Sequence, residues 1–328
     1  MDSEVAFEEG CGQFHRNGVA ILPSNHPRMH RFVIPFLAAA SHLAVPVSAL
    51  ARPLPEAGPL VLENGDMIVL LGDTLIERDG NYGYLESAMT AAFPGKVLRF
   101  RNLGWSGDTP RAESRAYFGP PAEGFERLTK QLNELRPTVV ISCYGAVDSF
   151  KGTAGHADFL QSYGRLLDMI QKTTGAGVVL MSPAVAQTLP PPFPDMTQVN
   201  RQRAEVTAVI AALAKERGLR FADLFAEIGQ TPLSSENGVT FTASGYASLV
   251  PAFLKSLGIA PAPLVPDKLR PLVVEKNRLH FYRWRPQNEI YLFGSRKHEQ
   301  GNNASEVQMF DPLISGKEAA INAVLAGK

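Results

Sequence analysis

The amino-acid sequence predicts an α/β fold, a three-layer α/β/α sandwich on a mainly parallel sheet. Short apolar runs recur without polar alternation, as strands buried on both faces require. Segments with apolar residues three and four apart separate them, as helices laid on a sheet require. The two kinds alternate strictly, and each strand that returns parallel to the last needs such a crossover.

The first strand is expected at Asp66–Gly72 (DMIVLLG), followed by a helical segment over 82–93 (YGYLESAMTAAF). Lys96–Gly104 (KVLRFRNLG) is the second strand and 125–135 (FERLTKQLNEL) its helix. Pro137–Gly145 (PTVVISCYG), then helix 157–173, and Gly177–Pro183 (GVVLMSP), then helix 198–218, continue the alternation. A shorter strand at Leu219–Leu224 closes it. Four prolines in IAPAPLVPDKLRP (259–271) interrupt helical period and mark a linker into an extension that begins with a helix near Lys268 and ends in another over 312–328.

Ahead of this region, MHRFVIPFLAAASHLAVPVSALA (29–51) has a basic start, an apolar run and a small-residue end at Ala51. That is the pattern of a secretory signal peptide, and Pro35 and Pro46 argue against one buried helix. The run is too short and broken for a stable membrane span. The expected organisation is 1–51 upstream segment and signal, 52–264 α/β domain and 265–328 C-terminal extension, with export to the periplasm or medium. Cleavage after Ala51 removes Cys11, leaving Cys143 without a disulfide partner, and leaves His156, His280 and His298 as the histidines. Of 328 residues 45% are hydrophobic, enough for a sizeable core. Lys+Arg and Asp+Glu both number 32, so no basic field exists to hold nucleic acid. No phosphate-cradling loop, Cys/His metal spacing or internal repeat occurs, so no cofactor is expected; protein partners are not legible.

Parallel sheets carry their sites at the carboxyl ends of the strands. There stand Gly72-Asp73-Thr74, Gly104 in NLGWSGDT and Gly145-Ala146-Val147-Asp148, with NGVTFTASGY (237–246) near the close of the alternation. In this order, over about residues 62 to 258, the blocks resemble those of the SGNH or GDSL hydrolase family, in particular exported bacterial members with a GWSGDT block. The resemblance implies a flavodoxin-like sheet and an ester-hydrolase scaffold for acyl or acetyl esters, including those on carbohydrate. In that family a serine after Gly-Asp is the nucleophile. Its amide, a glycine amide and an asparagine side chain form the oxyanion hole, and a late Asp-x-x-His supplies acid and base.

Carried over position by position, Thr74 stands for the serine, Gly104 for the glycine donor, Val147 for the asparagine, and Asn237 and Thr240 for the aspartate and histidine. Threonine keeps a hydroxyl but crowds the attack path. Valine cannot donate, and loss of one oxyanion donor costs roughly a hundred- to a thousandfold in rate. A threonine hydroxyl cannot serve as a base near neutral pH. Asp73, Gly145 and Asp148 beside these positions are candidate binding residues, and so is His298 in the tail FGSRKHEQGNNAS (293–305), which reads either as a polar lid or sugar-binding edge or as a solvated hairpin. Ser106 reads as a turn-shaping residue, and Asn303-Ala304-Ser305 as a glycosylation acceptor that matters only in a host that uses it. The expectation is a weakly active or non-catalytic protein that binds a small-molecule or carbohydrate ester. The alternative is an active esterase with Thr74 as nucleophile and His156 or His298 as base.

Overall fold

The computed structural model describes residues 53–327 apart from 118 and 263. The signal segment and the rest of 1–51 lie outside the described residues. The sheet comprises β1 (Met67–Gly72), β2 (Arg99–Gly104), β3 (Val139–Cys143), β4 (Gly177–Met181) and β5 (Arg220–Ala222). All pairs are parallel and the order is β2-β1-β3-β4-β5. This is the flavodoxin-like order, in which the chain reverses its direction of winding between β1 and β3.

Alternate strand residues feed opposite faces. Ile68, Leu70, Val139 and Ile141 point to one core, and Val69, Leu71, Val140 and Leu180 to the other. The first core is covered by α1 (Thr74–Tyr82), α2 (Tyr84–Ala92), α6 (Leu224–Ile228) and α7 (Ala243–Ser256). The second is covered by α3 (Pro121–Leu135), α4 (His156–Thr174) and α5 (Thr197–Arg217). Three layers result, as the alternation predicts. Helix α1 has no counterpart among the predicted elements, because Gly80-Asn81 inside its nine residues reads as a turn. Asp73 starts it by accepting the Leu75 N–H at 3.1 Å, and its buried Leu75 and Ile76 dock it on the sheet.

The extension is helical throughout its regular parts: α8 (Leu269–Trp284), α9 (Glu289–Leu292), α10 (Lys297–Gln300), a 3-10 segment (Gly301–Met309) and α11 (Phe310–Leu325). The tail around His298 is therefore a chain of short helical turns and not a hairpin. Helix α8 lies against α2 and β2, where Lys276 Nζ reaches Glu86 Oε1 at 2.5 Å and the Phe100 carbonyl at 2.9 Å. Leu269 and Val273 pack with Ala91 of α2 and Ile321 of α11. Among the described residues no helix is long and apolar enough to cross a membrane.

Candidate functional site

The winding reversal leaves a crevice at the carboxyl ends of β1 and β3, where the chain departs in opposite directions. Three loops meet there. From β1 come Asp73 and Thr74; from β3 come Gly145, Ala146 and Val147; from the segment before α7 come Val239 and Thr240. Gly145 takes φ +113°, and a side chain there would also drive a Cβ to 2.7 Å from Val206 Cγ1, so glycine is required for β3 to turn into the loop. The third segment is folded on itself: Asn237 Oδ1 accepts the N–H of Val239 at 3.1 Å and of Thr240 at 2.8 Å. Glu236 pairs with Arg78 at 2.8 Å.

These loops enclose a cavity of about 110 Å³. Thr74, Val147 and Thr240, which the sequence resemblance aligns with nucleophile, asparagine and histidine, all line it. Val239, Phe150 and Phe241 make its walls mostly apolar, and Asp73, Cys143 and Arg203 supply its polar and ionisable part. Thr74 Oγ1 accepts the Gly107 N–H at 3.1 Å. Burial pushes the Asp73 carboxyl up to about 6; the Leu75 N–H and Arg203 hold it down, while Asp108 and Asp148 push it further up. Arg203 comes from α5 and is 4% exposed. Its Nη1 donates to the Ala184 carbonyl at 2.6 Å and its Nε has no partner.

The remaining candidates are placed elsewhere. Gly104 does not line this cavity. Its N–H donates to Asn102 Oδ1 at 2.9 Å, its carbonyl accepts from Arg285 Nη2 at 2.5 Å, and it borders a separate cavity of about 380 Å³ beneath α8. Gly145 shapes the loop without lining the cavity. Asp148 is buried beside it in an ion pair with Arg111 at 2.9 Å. His298 is exposed, 3.7 Å from Glu299 on its own helical turn. None of His156, His280 and His298 lines the Thr74 cavity. His280 lies on the buried face of α8, and burial together with Arg101, Lys276, Arg283 and Arg285 holds its imidazole well below the ordinary range and so neutral.

Arg203 escaped the sequence reading, and Arg285 was legible there only as one of the polar residues of the C-terminal tail. Arg203 had a signal: Val206, Ile210 and Leu213 set the buried stripe of α5, and three residues back that stripe reaches position 203. For Arg285, which pairs with Glu77 and stacks 3.5 Å over the Trp105 ring, the place at the end of β2 was not legible, because Glu77, Gly104 and Trp105 are about 180 or more residues away in sequence.

The chain matches the GDSL-like lipase/acylhydrolase family over residues 70–247, more than half its length. Among solved structures it is similar to a catalytic mutant of Axe2, an acetylxylan esterase from Geobacillus stearothermophilus, at 18% identity and TM-score 0.48, covering 61% of this chain and 97% of that one. It is also similar to an aryl esterase from M. smegmatis, at 21% identity and TM-score 0.44, covering 59% of this chain and 98% of that one. Comparison with curated proteins gives no significant match.

Proposed function

This chain belongs to the GDSL-like lipase/acylhydrolase family, and we propose that in this member the ester-hydrolase scaffold serves as an acyl-ligand-binding pocket with little or no turnover. The observation that carries the proposal is the lining of the crevice cavity. Thr74, Val147 and Thr240 stand together there, and no histidine stands with them. A hydroxyl becomes a useful nucleophile only when a base takes its proton, and the tetrahedral intermediate needs donors already in place. Here the Thr74 oxygen is held by a backbone N–H, Thr240 offers no base, Val147 offers no donor, and the Gly104 N–H is occupied by Asn102.

Binding needs none of those groups. An apolar acyl chain fits walls of Val239, Phe150 and Phe241, and the oxygen end faces Asp73 and Arg203. The ligand class we propose is a small acyl compound, including acyl groups carried on carbohydrate. Export also belongs to this proposal; it rests on the composition of residues 29–51.

Hydrolysis of a small aryl acetate by the purified protein, beside a Thr74→Ala variant, tests the catalytic part. Equal rates near the uncatalysed background are expected. Turnover that vanishes in Thr74→Ala would establish a threonine-dependent esterase.

A further inference from the structure

The crevice cavity contains a charge whose bonding partner the acyl-pocket reading does not specify. Arg203 is almost wholly buried, yet among the described residues its guanidinium forms no ion pair and makes one hydrogen bond, Nη1 to Ala184 O. Nε is buried without a partner. A guanidinium has five donor N–H groups, and a buried donor such as Nε left without an acceptor is costly unless something else accepts from it. The nearest acid that acts on Arg203 is Asp73, and its own carboxyl is spent partly on the Leu75 N–H and is pushed towards the neutral form by burial. Asp73 acts on Arg203 through its charge but is neither hydrogen-bonded to it nor within ion-pair distance, so it does not supply the acceptor that the guanidinium lacks.

The shape of the cavity narrows what could supply the missing acceptor. A volume of about 110 Å³ limits the ligand to a handful of non-hydrogen atoms. Its walls of Val147, Val239 and Phe241 suit an alkyl end. A planar carboxylate matches the fork of a guanidinium and forms the stronger, charge-assisted kind of hydrogen bond.

We infer that the pocket holds the anion of a short-chain carboxylic acid, its carboxylate on Arg203 and its alkyl end against Val147, Val239 and Phe241. The inference rests on the acyl-pocket reading and adds to it that the ligand is the free acid anion and not its ester. No bond is made or broken. Arg203 is a binding residue here, and Thr74 needs no base because it does not attack.

The test is titration of the full chain with propionate and with its neutral isostere propionamide, followed by calorimetry or by NMR shifts. Wild type is expected to bind propionate at least about tenfold more tightly than propionamide, from the charge-assisted bond. Arg203→Met should bring propionate down to the propionamide level and Arg203→Lys should keep part of the preference, with melting curves confirming that both variants fold. Should neither variant fold, the wild-type pair of ligands still decides. Propionamide binding as tightly as propionate would overturn the carboxylate assignment and leave the acyl pocket standing. Binding of neither would overturn both, with water alone then satisfying Arg203.

Discussion

At Gly104 the absence of a side chain lets the end of β2 lie directly on the first turn of α1: a Cβ there would sit 2.1 Å from Glu77 N and 2.6 Å from Glu77 Cα. Both are backbone atoms of a docked helix, so neither can yield without moving α1. We expect Gly104→Ala to cost about 3 kcal/mol, the upper part of the range for overpacking, and urea denaturation checks it. Asp79 gives a second residue-level prediction. Its Oδ1 accepts the N–H groups of Tyr84 and Leu85 at 3.0 and 3.2 Å and so caps α2 from within α1, but Oδ2 is buried without a partner. Burial, with Glu86 adding repulsion, pushes the carboxyl up to about 7 against the capping bonds. The folded state therefore holds this proton where the unfolded chain has released it, and stability falls as pH rises from about 4 to 7. Asp79→Asn keeps an acceptor for the cap and removes the titration. The variant should lose that fall, a difference of roughly 2–4 kcal/mol, in stability measured by denaturant across this pH range.

The elements differ in how openly the sequence declares them. β1, β3 and β4 were legible because each is a nearly unbroken apolar run, as burial on both faces requires, whereas β2 (RFRNLG) and β5 (RFA) carry arginines and were legible from their place in the alternation. Helix α1 was not legible, since its stability comes from Asp73 at its start and from docking, while its own sequence carries a glycine and an asparagine. Helix α8 hides its buried face for another reason. Leu269 and Val273 continue on the same stripe into Lys276, Asn277 and His280, so the face that packs is polar. That stripe is intelligible only with its partner, because Glu86 of α2 takes Lys276 at 2.5 Å and Asn277 at 3.1 Å. Removing one member of such a buried pair leaves the other charge uncompensated. Lys276→Met should lose about 3–5 kcal/mol, whereas Lys276→Met with Glu86→Leu should recover most of it. Thermal and urea unfolding of the single and double variants reads the difference, and equal stability of the two would show that the pair does not fasten α8 to α2.

At the scale of the whole molecule, the order β2-β1-β3-β4-β5 brings together residues from three distant parts of the chain, and the extension stays off that crevice. Helix α8 fixes the β2 end through Arg285, yet no residue of 265–328 lines the Thr74 cavity. The sequence could locate the crevice through its four ordered blocks, and it could name Thr74, Val147 and Thr240 because they occupy those blocks. It could not show that the three share one cavity, nor that the Gly104 N–H is already taken, since both depend on side-chain direction and not on spacing. We propose that the family's crevice remains in place while the groups that would activate a nucleophile in it are missing. The most direct measurement is the initial rate of aryl acetate hydrolysis by the wild-type protein beside a rebuilt variant carrying Thr74→Ser, Val147→Asn, Asn237→Asp and Thr240→His. The account predicts a wild-type rate at background and a rebuilt rate at least about a hundredfold above it, the scale of a single restored oxyanion donor. A wild-type rate well above background that the rebuilding lowers would contradict it.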